Sequence, residues 1–191
     1  LNGIQEDIEV IRRQARRIAE IVGGLLTFSR PSALQMQELD LNSSVTECLA
    51  LLSPKLYAHK IQVHCSLDKG LPVVSADPNR LEQVFVNILN NAIEAMPQGG
   101  QVTVATGVRT GKEVCVRVSD TGEGIAAEDV EKVFDPFFTT KQPGRGTGLG
   151  LSVSYGIVRD HKGRIEVASS PHQGTTFQVI LPRREVSDEQ L

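Results

Sequence analysis

Two asparagines lie four positions apart in the segment Asn87-Ile88-Leu89-Asn90-Asn91. This spacing places Asn87 and Asn91 on one face of a helix whose other residues are mostly apolar. Neutral amide oxygens suit Mg²⁺, which keeps part of its water shell and shares phosphate oxygens with its protein ligands. The alternative is that both amides are buried and satisfied by backbone hydrogen bonds. We interpret Asn90, which faces another direction, as structural.

A second group, Asp120-Thr121-Gly122-Glu123-Gly124-Ile125, directly follows a predicted strand. An aspartate at the end of a strand can accept a hydrogen bond from an exocyclic amine such as adenine N6. The glycines let the backbone approach a flat ring closely. A charged acceptor of this kind contributes about 1.5–3 kcal/mol. A simple tight turn is the alternative, because glycine and aspartate are common in turns.

A third group, Gly144-Arg145-Gly146-Thr147-Gly148-Leu149-Gly150-Leu151, opens a helix. Consecutive backbone N–H groups at a helix N-terminus form an anion site. A flexible linker is disfavoured because an amphipathic helix follows immediately. The spacing differs from that of a P-loop. In a dinucleotide-binding site, the glycine motif follows the first strand of a βαβ unit, whereas a long loop precedes this segment.

The elements that position these groups begin with a helix predicted over Leu1–Ser29, which Pro31 ends. Its apolar residues recur in a heptad pattern: Leu1, Ile4, Ile8, Ile11, Ala15, Ile18, Val22 and Leu25. The arginines of the segment lie off this seam and are interpreted as a solvated face. The seam predicts pairing with a second copy of this helix, with a preceding helix, or with both. The start at Leu1 suggests an interrupted chain.

From Glu38 onward, strands and helices alternate in a pattern that predicts an α+β fold, a mixed sheet covered on one face by helices. The predicted strands are Glu38–Leu41, Ile61–Leu67, Gln101–Arg109, Glu113–Ser119, Arg164–Ser169 and Thr175–Leu181. The predicted helices run from a cap at Asn42 or Ser43 to about Ala58, from Asp77 through Ile93, and over Leu151–Asp160. The glycine-rich segment Gly122–Gly150 is predicted to be a functional loop. The predicted domains are residues 1–30 and 36–184, followed by a polar tail, 185–191.

The composition is that of a soluble globular protein, with 40% hydrophobic and 23% charged residues and a net charge of −3. This charge argues against binding of nucleic acid through general basicity. No apolar run approaches the roughly 20 residues of a membrane span, so we expect no membrane contact by this segment. Cys48, Cys65 and Cys115 are expected to be reduced, buried thiols in the cytoplasm. The four histidines lack metal-ligand spacing, so no zinc site is predicted.

Together with Phe134-Asp135-Pro136-Phe137-Phe138-Thr139-Thr140-Lys141, the three groups resemble the N, G1, F and G2 boxes of sensor histidine kinases. The F box resembles that of nitrogen-regulation and PAS-linked kinases. The fold of this family is shared with gyrase B, the Hsp90 chaperones and MutL. The resemblance extends from about Glu38 to Pro182. It implies a two-layer α/β sandwich that binds ATP between its helices and a mobile lid.

The resemblance also implies roles for individual residues. Asp120 would bind adenine N6, with Gly122 and Gly124 shaping the pocket, and Asn87 and Asn91 would hold Mg²⁺ and phosphate. Gly146, Gly148 and Gly150 would give the lid its freedom and cradle phosphates, while Lys141 and Arg145 would neutralise phosphate charge. Thr175 would hold a water beside Asp120, and Phe134, Phe137 and Phe138 would pack the lid against the domain. The remaining cofactor-binding positions implied are Ile125, Thr140, Thr147 and Leu149.

The Leu1–Ser29 helix resembles the second helix of the family's dimerisation bundle. The acceptor histidine of the family lies on the first helix of that bundle and is followed by an acidic residue, a context that none of the four histidines here shares. The expected activity is therefore transfer of a phosphoryl group from Mg·ATP to a histidine outside this sequence, and onward to a response-regulator aspartate. The alternatives are a serine kinase or ATPase of the same fold, or a non-catalytic nucleotide-sensing dimerisation module. The expected partners are the acceptor helix, a response-regulator receiver domain and a second copy of the chain.

Overall fold

The computed structural model describes residues 33–141 and 146–183, together with Ile8, Ile11 and Arg12, which are helical. The other residues of the predicted Leu1–Ser29 helix, Arg145 and the tail 185–191 lie outside the described residues. Among the residues described, every helix falls short of the length and apolar content that crossing a membrane requires.

The chain alternates strands and helices, as predicted. The strands are β1 (Gln37–Leu39), β2 (Ile61–Ser66), β3 (Val74–Ala76), β4 (Gly100–Thr110), β5 (Glu113–Asp120), β6 (Arg164–Ser169) and β7 (Thr175–Pro182). The helices are α1 (Leu41–Ala58), α2 (Pro78–Glu94), α3 (Ala127–Val130) and α4 (Gly150–Asp160).

The main sheet has five strands in the order β2-β4-β5-β7-β6. β2 and β4 run parallel, and the other neighbouring pairs are antiparallel. β4 and β5 form the predicted hairpin, with a register shift between Val108 and Thr110. The sheet is therefore mixed, as predicted, and β5 and β7 lie side by side at its middle.

A separate two-stranded sheet pairs β1 with β3 in antiparallel orientation. β3 is absent from the predicted elements, and the predicted bounds of β1 are wrong at Leu41, which is the first residue of α1. Leu39 pairs with Val74, so this small sheet joins the start of the domain to the segment that enters α2.

The core lies between the main sheet and the helices α1, α2 and α4. On β5, Val114, Val116 and Val118 are buried, whereas Arg117 between them is exposed. This alternation directs one face of the sheet towards the helices. The apolar face of α2 is buried against it, and Phe85 is only 1% exposed. The predicted covering of one sheet face by helices is confirmed.

Aspartates cap the two long helices. Asp77 caps α2 as predicted, because its Oδ1 accepts a hydrogen bond from the backbone N–H of Arg80 at 3.2 Å. The predicted cap of α1 at Asn42 or Ser43 is wrong. Asp40 is the cap, and its Oδ1 accepts from the N–H of Asn42 at 2.8 Å.

The three cysteines are free and differ in exposure. Cys48 is buried in α1, and this burial raises the pKa of its thiol to about 11. Cys115 is partly buried. The prediction of burial is wrong for Cys65, which is exposed on the edge strand β2.

Candidate functional site

A buried carboxylate lies at the end of β5. Asp120 is 9% exposed, and its Oδ1 accepts hydrogen bonds from the backbone N–H of Gly122 at 2.9 Å and of Thr175 at 3.2 Å. Burial raises the pKa of Asp120, and these two donors oppose the shift. Its Oδ2 takes no hydrogen bond from another described residue. Since no fully buried side-chain polar atom of the described residues lacks a partner, Oδ2 is accessible to a ligand donor.

Three glycines bring the loops around Asp120 into close backbone contact. Gly124 has a φ of +72°, and a Cβ there would lie 2.0 Å from the carbonyl oxygen of Ser170. A Cβ at Gly122 would lie 2.7 Å from the Cβ of Ala95, at the C-cap of α2. A Cβ at Gly174 would lie 1.9 Å from the carbonyl oxygen of Asp120. Side chains at these positions would therefore displace the loops that surround the carboxylate.

Ser169 connects the loop after β5 to the turn between β6 and β7. Its Oγ accepts from the N–H of Ile125 at 2.8 Å and donates to the carbonyl oxygen of Gly174 at 2.9 Å. The hydroxyl of Thr175, predicted to hold a water, lies 2.9 Å from this Oγ. We call Asp120, Gly122, Gly124, Ser169, Gly174 and Thr175 the Asp120 pocket. Ser169 was missed because it belongs to none of the motifs, although it is the register partner of Thr175.

Asn87, Asn90 and Asn91 of α2 contact three different parts of the chain. The Nδ2 of Asn87 donates to the carbonyl oxygen of Gly150 at 3.0 Å and to the Oγ of Ser154 at 3.2 Å. The Oδ1 of Asn90 accepts from the Nζ of Lys55 on α1 at 2.6 Å. The Oδ1 of Asn91 accepts from the Nζ of Lys141 at 3.3 Å. Asn87 thus ties α2 to α4, and Asn91 contacts the glycine-rich loop.

A chain of charged side chains begins at Lys141, the partner of Asn91. The Nζ of Lys141 lies 2.5 Å from Glu94 Oε2, and the other carboxylate oxygen of Glu94 lies 3.5 Å from the Nζ of Lys55. The side chains of Lys141 and Glu94 are 34% and 40% exposed. We call Lys55, Asn91, Glu94 and Lys141 the Lys141 cluster. Lys55 and Glu94 were missed because their partners are distant in the sequence and neither lies in a motif.

The described parts of the glycine-rich loop contact one another near Gly148. The N–H of Phe137 donates to the carbonyl oxygen of Gly148 at 2.9 Å. Gly148 has a φ of +67°, and a Cβ there would lie 2.4 Å from the carbonyl carbon of Phe137. The predicted packing of Phe137 is wrong, because its side chain is 60% exposed. Phe134 contacts the ring of Tyr155 at a centroid distance of 5.3 Å, and Phe138 is partly buried.

The remaining predicted site residues differ in burial. Leu149 is buried, Ile125, Gly146 and Thr147 are partly buried, and Thr140 is exposed. The predicted role of Arg145 stays a prediction, since this residue lies outside the described part of the chain.

The end of α2 joins the Asp120 pocket to the asparagines. The N–H of Glu123, in the loop after Asp120, donates to the carbonyl oxygen of Ala95 at 3.2 Å. The helix that carries Asn87 and Asn91 therefore ends against this loop. Chemically, the pocket offers an acceptor to an amine. The amide oxygens of α2 suit a metal ion, and the ammonium group of Lys141 in the glycine-rich loop suits a polyphosphate.

Comparison with known proteins identifies the family. The model of the histidine kinase-, DNA gyrase B- and HSP90-like ATPase family matches residues 76–185. The chain belongs to this family. Over 174 residues it is 40% identical to the sensor histidine kinase ZraS of Escherichia coli (strain K12), an alignment that covers 91% of this chain and 37% of ZraS.

Solved structures of this ATPase family share the fold. The nucleotide-free catalytic domain of histidine kinase ThkA has a TM-score of 0.70 and 33% identity, covering 78% of this chain and 99% of that domain. ThkA in complex with the response regulator protein TrrA has a TM-score of 0.77 and 31% identity, covering 92% of this chain and 50% of that chain. The chain is thus a catalytic ATP-binding domain of the sensor histidine kinase type, and the predicted α/β fold of this domain is confirmed.

Proposed function

We propose that this domain binds Mg·ATP and transfers its γ-phosphoryl group to a histidine on a dimerisation helix outside this sequence. The histidine nitrogen attacks the γ-phosphorus, the bond to the β-phosphate oxygen breaks, and ADP leaves. The phosphoryl group then passes to an aspartate of a response regulator. The observation that carries this proposal is the buried Asp120, which has one oxygen held by backbone N–H groups and the other accessible.

Asp120 gives the domain its preference for adenine. Its free Oδ2 accepts a hydrogen bond from the exocyclic amine, and the glycines beside it let the ring approach the backbone. Guanine carries a carbonyl oxygen at the equivalent position, so a carboxylate there would repel it. Gly122 and Gly124 shape the pocket and Ile125 lines it, while the N–H of Thr175 and the hydroxyl of Ser169 keep the loops in place.

The residues on α2 fit a magnesium ion. Asn87 has a side-chain oxygen that takes no hydrogen bond from other described residues, and Asn91 offers a second amide oxygen on the same helix face. Neutral oxygen donors of this kind suit a metal that retains water and binds phosphate oxygens. When bound, Mg²⁺ supplies neutralisation of charge on the phosphate oxygens. Lys141 must first leave the oxygen of Asn91, and phosphate is the natural new partner for its ammonium group.

The glycine-rich loop covers the phosphates in this proposal. Gly146, Thr147, Gly148 and Gly150 bring backbone N–H groups to the N-terminus of α4, which favours anions. Thr140, Lys141 and Arg145 belong to the same segment of the sequence, and the two cations are proposed to neutralise phosphate charge. Leu149, at the N-cap of α4, is buried.

The acceptor histidine is assigned to another helix because none of the four here is suitably placed. His59 and His161 are C-caps of α1 and α4, His64 lies in β2, and His172 lies in the turn before β7. His161 is also buried and accepts a hydrogen bond from the N–H of Asp77. The proposed partners are the acceptor helix, a second copy of the chain paired through Leu1–Ser29, and a response-regulator receiver domain, all in the cytoplasm.

The test is phosphorylation of a longer chain that includes an upstream acceptor helix. Incubation with γ-labelled Mg·ATP should give a phosphoprotein that is labile in acid and stable in alkali, and Asp120→Asn in the same chain should be labelled much more slowly at sub-saturating ATP. Acid-stable label would indicate a serine kinase of the same fold. A chain that binds Mg·ATP and never becomes labelled would contradict the proposal and favour a nucleotide-sensing module.

A further inference from the structure

Ser154 contacts Asn87, a residue of the proposed metal site. It sits one helical turn into α4, is 0% exposed, and belongs to none of the motifs. Its Oγ donates to the carbonyl oxygen of Gly150 at 2.9 Å and accepts from the Nδ2 of Asn87 at 3.2 Å. Because Asn87 also donates to Gly150 at 3.0 Å, the three residues form a closed hydrogen-bonded triangle between α2 and α4.

This triangle fixes which end of the Asn87 amide faces the groove. A backbone carbonyl oxygen can only accept, so the atom of Asn87 next to Gly150 must be the nitrogen. The hydroxyl hydrogen of Ser154 is directed to the same carbonyl, which leaves its oxygen as an acceptor for the second hydrogen of Nδ2. Rotating the amide by half a turn would place its Oδ1 against the Gly150 oxygen, an arrangement that electrostatic repulsion disfavours.

The oxygen of Asn87 is consequently presented away from α4. It takes no hydrogen bond from the residues described, and no fully buried side-chain polar atom in this part of the chain lacks a partner, so Oδ1 is accessible. We propose that Ser154 is a positioning residue that holds the Asn87 amide with its oxygen directed at the metal of Mg·ATP. This inference rests on the proposed nucleotide-binding function.

The chain offers a matched control in the same helix. Ser152 is also buried in α4, at 4% exposed, and its Oγ donates to the carbonyl oxygen of Leu149 at 2.9 Å. Both serines thus bond to a backbone carbonyl near the start of α4, and of the two only Ser154 contacts Asn87. Replacing such a serine by alanine has little effect on a helix, because this type of hydrogen bond slightly destabilises it.

The experiment measures how much Mg²⁺ strengthens ADP binding, by calorimetric titration with excess Mg²⁺ and with EDTA. Ser154→Ala should lower this gain about three- to ten-fold, as expected for one lost hydrogen bond. Its affinity for ADP in EDTA should stay within about two-fold of wild type. Ser152→Ala should leave the gain unchanged, and Ser154→Cys, which keeps a weaker acceptor, should give an intermediate value.

The strengthening of ADP binding by Mg²⁺ distinguishes a lost positioning of Asn87 from a general loss of folding. An unaltered gain in a folded Ser154→Ala protein would overturn the inference, as would an equal loss in Ser152→Ala. If Ser154→Ala does not melt cooperatively, Ser154→Cys decides between the same outcomes. If the wild-type protein bound ADP equally well with and without Mg²⁺, the proposed role of Ser154 would be overturned, while the proposed binding of adenine would stand. Absence of ADP binding by the wild type would contradict the proposed function itself.

Discussion

The Asp120 pocket and the Lys141 cluster stabilise charge by different means. In the pocket, a buried carboxylate is held by backbone N–H groups from β7 and from its own loop. In the cluster, partly exposed ammonium and carboxylate side chains pair with one another, as Lys141 does with Glu94. Backbone donors are fixed by the sheet, whereas long side chains can change partners at little cost.

This difference indicates that the two ends of the proposed nucleotide site form at different times. In the Asp120 pocket, backbone donors already hold one carboxylate oxygen in place, and the other takes no hydrogen bond from the described residues. The Lys141 cluster has to rearrange, since the ammonium group of Lys141 occupies the oxygen of Asn91. Adenine would therefore bind to a preformed surface, and the phosphates would replace Glu94 as the partner of Lys141.

The largest effect is expected from a side chain at Gly124. Gly124→Ala places a Cβ 2.0 Å from the Ser170 oxygen at a positive φ, and should lower the free energy of unfolding by about 3 kcal/mol. Urea denaturation measures this change. The control is Gly156→Ala in α4, where no atom other than the adjacent backbone of the helix lies within 4 Å of the added Cβ and a gain of up to about 1 kcal/mol is expected. Unchanged unfolding of Gly124→Ala would mean that the pocket is not tightly packed.

A second prediction concerns pH and compares Asp120 with its neutral analogue. Burial raises the pKa of Asp120 above its ordinary value of 3.8, against the opposing N–H donors. Its ionised form is the acceptor for adenine, so ADP affinity should be complete above the raised pKa and fall as pH decreases through it. Stability has the opposite sign: the contribution of this group is present at low pH and lost as pH rises through the same pKa.

Calorimetric titration of ADP from pH 8 to about pH 4.5 measures how the free energy of ADP binding changes with pH. A shift of one unit in the pKa of Asp120 on binding corresponds to about 1.4 kcal/mol. Titration of the Asp120→Asn protein over the same range corrects for protons taken up by the nucleotide and by other groups. If both proteins lost affinity in parallel, the carboxylate of Asp120 would not be the acceptor.

The smallest effect is expected in the Lys141 cluster. Lys141→Met should weaken Mg·ADP binding about three-fold at low salt and less at high salt, because exposed charges are screened. Lys132→Met, which removes a surface pair with Asp129, should not change binding. The salt series is the informative measurement. A loss of Mg·ADP affinity that is as large at high salt as at low salt would show that Lys141 makes a desolvated contact. The difference drawn between the Asp120 pocket and the Lys141 cluster would then be wrong.

Local chemistry made some elements predictable from the sequence. The Asp77-Pro78 start of α2 follows from cap preference, and the position of Asp120 follows from alternation along β5, because both signals lie within a few residues. β3 could not be predicted in this way. Its three residues are too few to show a period, and its partner β1 is distant in the chain.

The residues of the candidate site likewise fall into those that local motifs predict and those that depend on distant partners. The motifs indicated Asp120, Asn87 and Asn91, but not the residues that hold them, since Ser169 and Ser154 act through partners on other elements. The family resemblance implied that Phe137 packs against the domain, yet its backbone bonds to Gly148 and its side chain is exposed. Contacts between segments that are distant in the chain decide how such side chains are placed, and a single sequence does not show these contacts.

The most direct measurement is a calorimetric titration of Mg·ADP into the wild-type protein and into Asp120→Asn. An asparagine can keep its oxygen towards the N–H groups of Gly122 and Thr175, which places its NH₂ group where the free oxygen was and opposes a donor with a donor. We expect a loss of affinity of about ten-fold or more, without a loss of stability, because a neutral side chain costs less to bury. The exposed Glu123→Gln in the same loop should bind as wild type does. Unchanged binding by Asp120→Asn would contradict the assignment of adenine to this pocket.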